Sequence, residues 1–170
     1  MRRLKKRFRV WPVLIILLAA TATLFVLRNC FQFAVTEGGS MAPTVSAKEV
    51  LVINKISQVQ NGDIIAFYSA KYDRVLIKRV IAMEGDSVRI QDGKVFRNDI
   101  MLVESYLPAG SVTTGDENET IIQPGRYYVM GDNRPISQDS RSSSVGTVDA
   151  NDVIGSVILR IWPLKNFQIF

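Results

Sequence analysis

The stretch Val75-Leu76-Ile77-Lys78-Arg79-Val80-Ile81 decides the fold class. Its β-branched residues favour an extended chain. Strand alternation puts Leu76, Lys78 and Val80 on one face and Ile77, Arg79 and Ile81 on the other. A lysine in the middle of such a strand ordinarily lies on an exposed edge or snorkels to water. Working outward, Val50-Leu51-Val52-Ile53 and Ile64-Ile65-Ala66-Phe67-Tyr68 are further short apolar runs bounded by Gly, Asn and Asp. Val88 to Ile90 and Lys94 to Phe96 flank Asp92-Gly93, a hairpin signal because both central positions of a type I′ turn need φ > 0. Tyr127 to Met130 and Val153 to Trp162 complete the set of predicted strands. Residues 99–122 read as an irregular, polar surface ribbon. Helical periodicity is scarce after residue 30, so the expected class is mainly β, an antiparallel sheet domain.

The N-terminal end is different. Val10 to Leu27 is an uncharged apolar run of 18 residues, which as a helix rises about 27 Å and so nearly spans a hydrocarbon core of about 30 Å. Six of the basic residues fall in the first nine positions, and beyond residue 27 there are 15 basic and 16 acidic residues. The net charge of +5 is thus a property of the tail, and a nucleic-acid partner is not expected. By the positive-inside rule the tail stays in the cytoplasm and the C-terminal bulk lies outside. Ala20-Thr21-Ala22 resembles a signal-cleavage site, but it sits inside the apolar run with Leu24 to Leu27 still to follow. The reading is a basic cytoplasmic tail (1–9), a retained transmembrane anchor (10–27) in the lipid bilayer, and an extracytoplasmic catalytic domain (28–170). Cys30 reads as a small apolar residue rather than a lipidation site.

With no histidine and one cysteine, a Ser-His-Asp triad, an imidazole metal site and an internal disulfide are all excluded. Three elements remain that carry chemistry. Gly38-Gly39-Ser40-Met41-Ala42-Pro43-Thr44 frees the backbone before a serine and stiffens it afterwards, although alone it also fits an ordinary loop. Lys78 is the second. The third is Gly131-Asp132-Asn133-Arg134-Pro135-Ile136-Ser137-Gln138-Asp139-Ser140-Arg141, a dense polar turn that alone also fits a salt-bridged loop.

Taken in order, Ser40-Met41-x-Pro43-Thr44, Gly62-Asp63-Ile64-Ile65-x-Phe67, Lys78-Arg79-Val80-x5-Asp86 and the turn from Gly131 to Arg141 resemble the boxes of bacterial type I signal peptidases, in a short Gram-positive-like form. The resemblance covers nearly the whole chain. It implies a serine endopeptidase with Ser40 as nucleophile and Lys78 as general base, where endoplasmic-reticulum relatives carry histidine. It implies removal of signal peptides from exported preproteins after small residues at −1 and −3, beside the secretion translocon and with no cofactor. It further implies that Ser137 orients the lysine amine, that Arg79 pairs with Asp132 and Asp139 with Arg141, and that Ala34, Thr36, Met41, Val45, Leu76 and Ile77 line shallow apolar pockets. Gly38 departs from Gram-negative members, which place an oxyanion-binding serine there.

The chemistry is consistent with elementary acid–base arithmetic. Without histidine, a serine hydroxyl has only lysine or a carboxylate to take its proton. A lysine with pKa near 10.4 is neutral in roughly one molecule per 2,500 at pH 7. Lowering that pKa by about two units by apolar burial costs roughly 2.7 kcal/mol. A pilin-type maturation protease, a self-cleaving repressor and a non-catalytic β module are the competing functions. The repressor would need a DNA-binding domain where the apolar run stands, and the β module would leave Ser40 and Lys78 without purpose.

Overall fold

The computed structural model describes residues 10–115 and 117–170; the basic tail 1–9 lies outside the described residues. Helix α1 (Trp11–Cys30) contains no buried residue and carries Pro12 in its first turn, where a missing N–H costs nothing. It runs three residues past the apolar stretch that ends at Leu27, and the Asn29 side chain donates to the Phe25 carbonyl at 2.7 Å. Its 20 residues rise about 30 Å, enough to cross a bilayer.

After α1 the chain is β throughout, with short 3₁₀ turns, in two sheets. The larger contains β1 (Phe31–Val35), β2 (Val50–Asn54), β3 (Ile64–Ser69), β4 (Arg74–Met83), β9 (Arg126–Met130), β10 (Val148–Asp149), β11 (Val153–Trp162) and β12 (Gln168–Ile169). Their order is β1-β2-β11-β3-β4-β9-β10, with β12 beside β11. The smaller contains β5 (Ser87–Gln91), β6 (Lys94–Arg97), β7 (Ile100–Met101) and β8 (Glu117–Ile121) in the order β7-β6-β5-β8. The pairings are antiparallel, so the expected class holds. Gln91 pairs with Lys94, and Asp92 and Gly93 both have positive φ, the two-residue turn their sequence demands. Residues 99–122 are not wholly irregular: β7 and β8 lie there and flank the second sheet.

β4 is central to the larger sheet, between β3 and β9. Lys78 stands opposite Ile65, and Arg79 lies between Ile64 and Met130. Leu76 and Val80, on the face of Lys78, pack with Ile65, Phe67 and Val129. A second cluster, Met41, Val45, Leu51, Ile53, Ile64, Ala66 and Val157, lies beneath the turn that carries Ser40. A third, including Ile81, Val88, Ile90, Val95 and Met130, joins the two sheets.

Candidate active site

Ser40 opens a tight turn at the end of the segment leaving β1. The Ala42 N–H donates to the Gly39 carbonyl at 3.1 Å and the Val45 N–H to the Met41 carbonyl at 2.8 Å. Met41 and Val45 are buried in the cluster below, and their burial fixes the turn to the sheet. Lys78 reaches the same point from β4: its Nζ donates to Ser40 Oγ at 2.7 Å. The lysine is 3% exposed. Burial pulls its pKa from 10.5 down to about 8, against the carboxylates of Asp139 and Asp132, while the Arg74 charge assists the lowering. At pH 7 roughly one amine in ten is therefore deprotonated, and it lies within proton-transfer distance of a hydroxyl.

Both side chains face a groove of about 460 Å³ between the segment 34–41 and strand β4. Ala34, Thr36, Met41, Val45, Leu76 and Ile77 all line it. So do Glu37, Tyr72, Arg74, Ile136 and Gln138, which were not among the residues singled out from the sequence.

The turn 131–141 covers the other side of the pair. Arg79 Nε and Nη2 donate to the two oxygens of Asp132 at 2.9 and 2.7 Å, and Arg79 Nη1 donates to the Gly62 carbonyl at 2.8 Å. Arg141 Nε and Nη2 donate to the two oxygens of Asp139 at 2.8 and 2.9 Å. The Gly131 N–H donates to Asp139 as well, at 2.9 Å. Burial alone would raise the Asp139 pKa, but the hydrogen bonds from Arg141 and Gly131 hold it below the ordinary carboxylate range. Ser137 is placed beside the pair but does not engage it. Its buried hydroxyl does not make the expected bond to the lysine amine; it lies instead near Asp139, where it helps to keep that carboxylate ionised.

Sequence reasoning missed two sets of contacts. Asn133 grips the serine turn, its N–H donating to the Ser40 carbonyl at 2.9 Å and its side-chain amide to the Gly39 carbonyl at 3.1 Å. Tyr106 lays its ring 4.0 Å from the Arg79 guanidinium and donates its hydroxyl to Glu104 at 2.6 Å. Glu104 in turn pairs with buried Arg134 at 2.5 Å. Asn133 stood inside a quoted motif but had no assigned part. Tyr106 and Glu104 lay in a segment with no chemical signature.

A serine hydroxyl against a buried amine, at the head of a β-walled groove, has the geometry of a serine hydrolase that works without histidine. Residues 8–162 match the family of signal peptidases, peptidase S26, and the chain belongs to that family of serine proteases. It is 34% identical to signal peptidase I of Bacillus caldolyticus over 180 residues, covering 96% of this chain and 95% of that one. It is 32% identical to signal peptidase I U of Bacillus subtilis over 179 residues, covering 97% and 95%. The crystal structure of a signal peptidase I from Enterococcus faecalis superposes with a TM-score of 0.52 at 31% identity, over 59% of this chain and 97% of that chain.

Proposed function

We propose that this chain is a membrane-bound endopeptidase that removes N-terminal signal peptides from exported preproteins, cutting after small residues at −1 and −3. The observation that carries the reading is the 2.7 Å contact between Ser40 Oγ and the buried amine of Lys78, at a groove of about 460 Å³ that both side chains line. Neutral Lys78 accepts the Ser40 proton as Oγ attacks the scissile carbonyl. The tetrahedral oxyanion is met by the Ser40 N–H, since Gly38 brings no hydroxyl. The lysine then protonates the leaving amine, and a water activated by the same base releases the acyl group. Arg79, Asp132, Asp139 and Arg141 hold the covering turn in place, and Ser137 packs against Gly131 within it. Ala34, Thr36, Met41, Val45, Leu76 and Ile77 form the shallow pockets that admit small residues.

Helix α1 anchors the enzyme in the lipid bilayer, and the basic tail orients it with residues 28–170 outside, near the exit of the secretion translocon. The deciding experiment incubates the detergent-solubilised full chain with a preprotein carrying Ala at −1 and −3 and identifies the new N-terminus by mass spectrometry. Cleavage directly after the −1 alanine is expected, so that the new N-terminus is the +1 residue, with none in Ser40→Ala. Undiminished cleavage by Ser40→Ala would overturn the assignment.

A further inference from the structure

Arg160 stands on β11, away from the groove, and the chemistry above makes no use of it. Its side chain is 10% exposed and that of its partner Glu49 is 4% exposed. Every nitrogen of its guanidinium is engaged. Nη1 donates to the Thr44 carbonyl at 2.8 Å and to Glu49 Oε2 at 2.9 Å. Nε donates to the Asn166 carbonyl at 2.6 Å, and Nη2 to Gln168 Oε1 at 2.7 Å. Glu49 Oε2 also accepts the Ser46 N–H at 3.0 Å. The Glu49 backbone is stitched to Thr36, its N–H donating to Thr36 Oγ1 at 3.0 Å and its carbonyl accepting the Thr36 N–H at 3.0 Å.

One buried ion pair thus fastens the loop 41–49 at Thr44, Ser46 and Glu49. That loop begins immediately after Ser40 and supplies Met41 and Val45 to the groove wall. A buried ion pair adds little stability over an apolar pair of the same size. What it does supply is directional: a guanidinium fork and a carboxylate fix particular backbone carbonyls and N–H groups in place.

We propose that Arg160 and Glu49 are positioning residues that make the groove wall unyielding and thereby set its selectivity for a small residue at −1. The proposal rests on the reading of Ser40 as nucleophile and of Met41 and Val45 as pocket walls. A pocket tells one methylene more or less by about 10–200-fold, and it does so only while its walls cannot retreat. Met41 and Val45 follow the backbone at Thr44 and Ser46. Releasing those two tethers lets the pocket accept a larger side chain.

The test measures kcat/KM of the full chain in detergent on two preproteins that differ only in Ala or Val at −1. Wild type is compared with Arg160→Lys, with the double variant Arg160→Met/Glu49→Leu, and with Ser40→Ala. The double variant replaces the ion pair by an apolar pair and so leaves no buried charge unpaired. The expected result is a preference for Ala over Val reduced at least tenfold in each folded variant, with a smaller fall in kcat on the Ala substrate. A preference within twofold of wild type, in a double variant whose melting temperature shows it folded, would overturn the proposal and leave Arg160 a structural tie. Cleavage persisting in Ser40→Ala would instead remove the nucleophile reading, and the proposal with it, so the two failures are told apart.

Discussion

Gly131 faces the carbonyl oxygen of Ser40 so closely that a Cβ on it would lie 2.4 Å from that oxygen and 2.2 Å from Ser137 Oγ. Its φ is not in the left-handed region, so the requirement for glycine is one of space and not of backbone conformation. Gly131→Ala must push the serine turn or the covering turn aside. A displacement near 1 Å at a reacting group costs roughly 10²-fold in rate. The expected result is a kcat reduced about 100-fold with a cooperative melt retained, checked by steady-state cleavage and thermal unfolding. A kcat unchanged from wild type would mean that the neighbouring turns yield freely.

Ser40 and Lys78 should behave as one catalytic unit. In the proposed mechanism Ser40→Ala removes the attacking atom, and Lys78→Ala removes the proton acceptor from the same step. Each single variant should lose activity to near background, and the double variant should be little worse than either. Single-turnover cleavage with excess enzyme measures this. Additive losses in the double variant would show that the two side chains act in separate steps.

The Arg79–Asp132 pair yields a stability prediction. Asp132 is wholly buried at its side chain, and Arg79 is 12% exposed. Arg79→Ala leaves a carboxylate buried without its partner, which typically costs about 3–5 kcal/mol. Arg79→Met/Asp132→Leu, which removes both charges, should recover most of that loss. Chemical denaturation followed by tryptophan fluorescence reads both values. Equal stability of the single and double variants would mean that the solvent or another donor satisfies Asp132.

These sites also show which parts of the structure are legible in the sequence. Strand β11 begins and ends at the residues its apolar pattern marks, Val153 and Trp162, because its hydrophobic residues and flanking turns are local signals. β1 was not marked: Phe31-Gln32-Phe33-Ala34-Val35 follows the apolar helix without a break, and it becomes a strand by pairing with β2. β8, Glu-Asn-Glu-Thr-Ile, is polar and extended through its pairing with β5, a contact no propensity reveals. The catalytic candidates were legible because four boxes in order resemble one family; the absence of histidine only narrows the base to a lysine or a carboxylate. Arg160 was not, because its partners Thr44 and Glu49 stand more than 100 positions away, and nothing in an arginine on a strand says what it will grip.

The proposed membrane orientation rests on charge placement. Six basic residues precede α1, and the remainder of the chain is nearly neutral. Protease treatment of intact, wall-stripped cells should therefore degrade residues 28–170 and spare the tail. Complete protection of those residues, with lysed cells digested as a control, would reverse the orientation.

The last prediction links activity and stability to one proton. Burial lowers the Lys78 pKa from 10.5 to about 8, so the folded protein disfavours the charged amine. kcat/KM should rise about tenfold per pH unit below pH 8 and level off above it if the neutral amine is the base, as proposed. Removing the nearby positive charge with Arg74→Gln takes away one cause of the lowering. The limb should then move toward alkaline pH, and only slightly because Arg74 is exposed and screened. For stability the sign is opposite to that of a salt-bridged lysine. Between pH 8 and 10.5 the unfolded chain holds a proton that the folded one has released, so stability rises with pH across that window. Below pH 8 the full cost is present, roughly 3 kcal/mol. Lys78→Met should accordingly be inactive yet more stable than wild type at pH 7, with the advantage fading as pH approaches 10.5. Denaturation curves of both proteins at pH 7, 9 and 10.5 measure it. An equal stability gap at all three pH values, or an activity limb centred near 6, would exclude a depressed Lys78 as the titrating base.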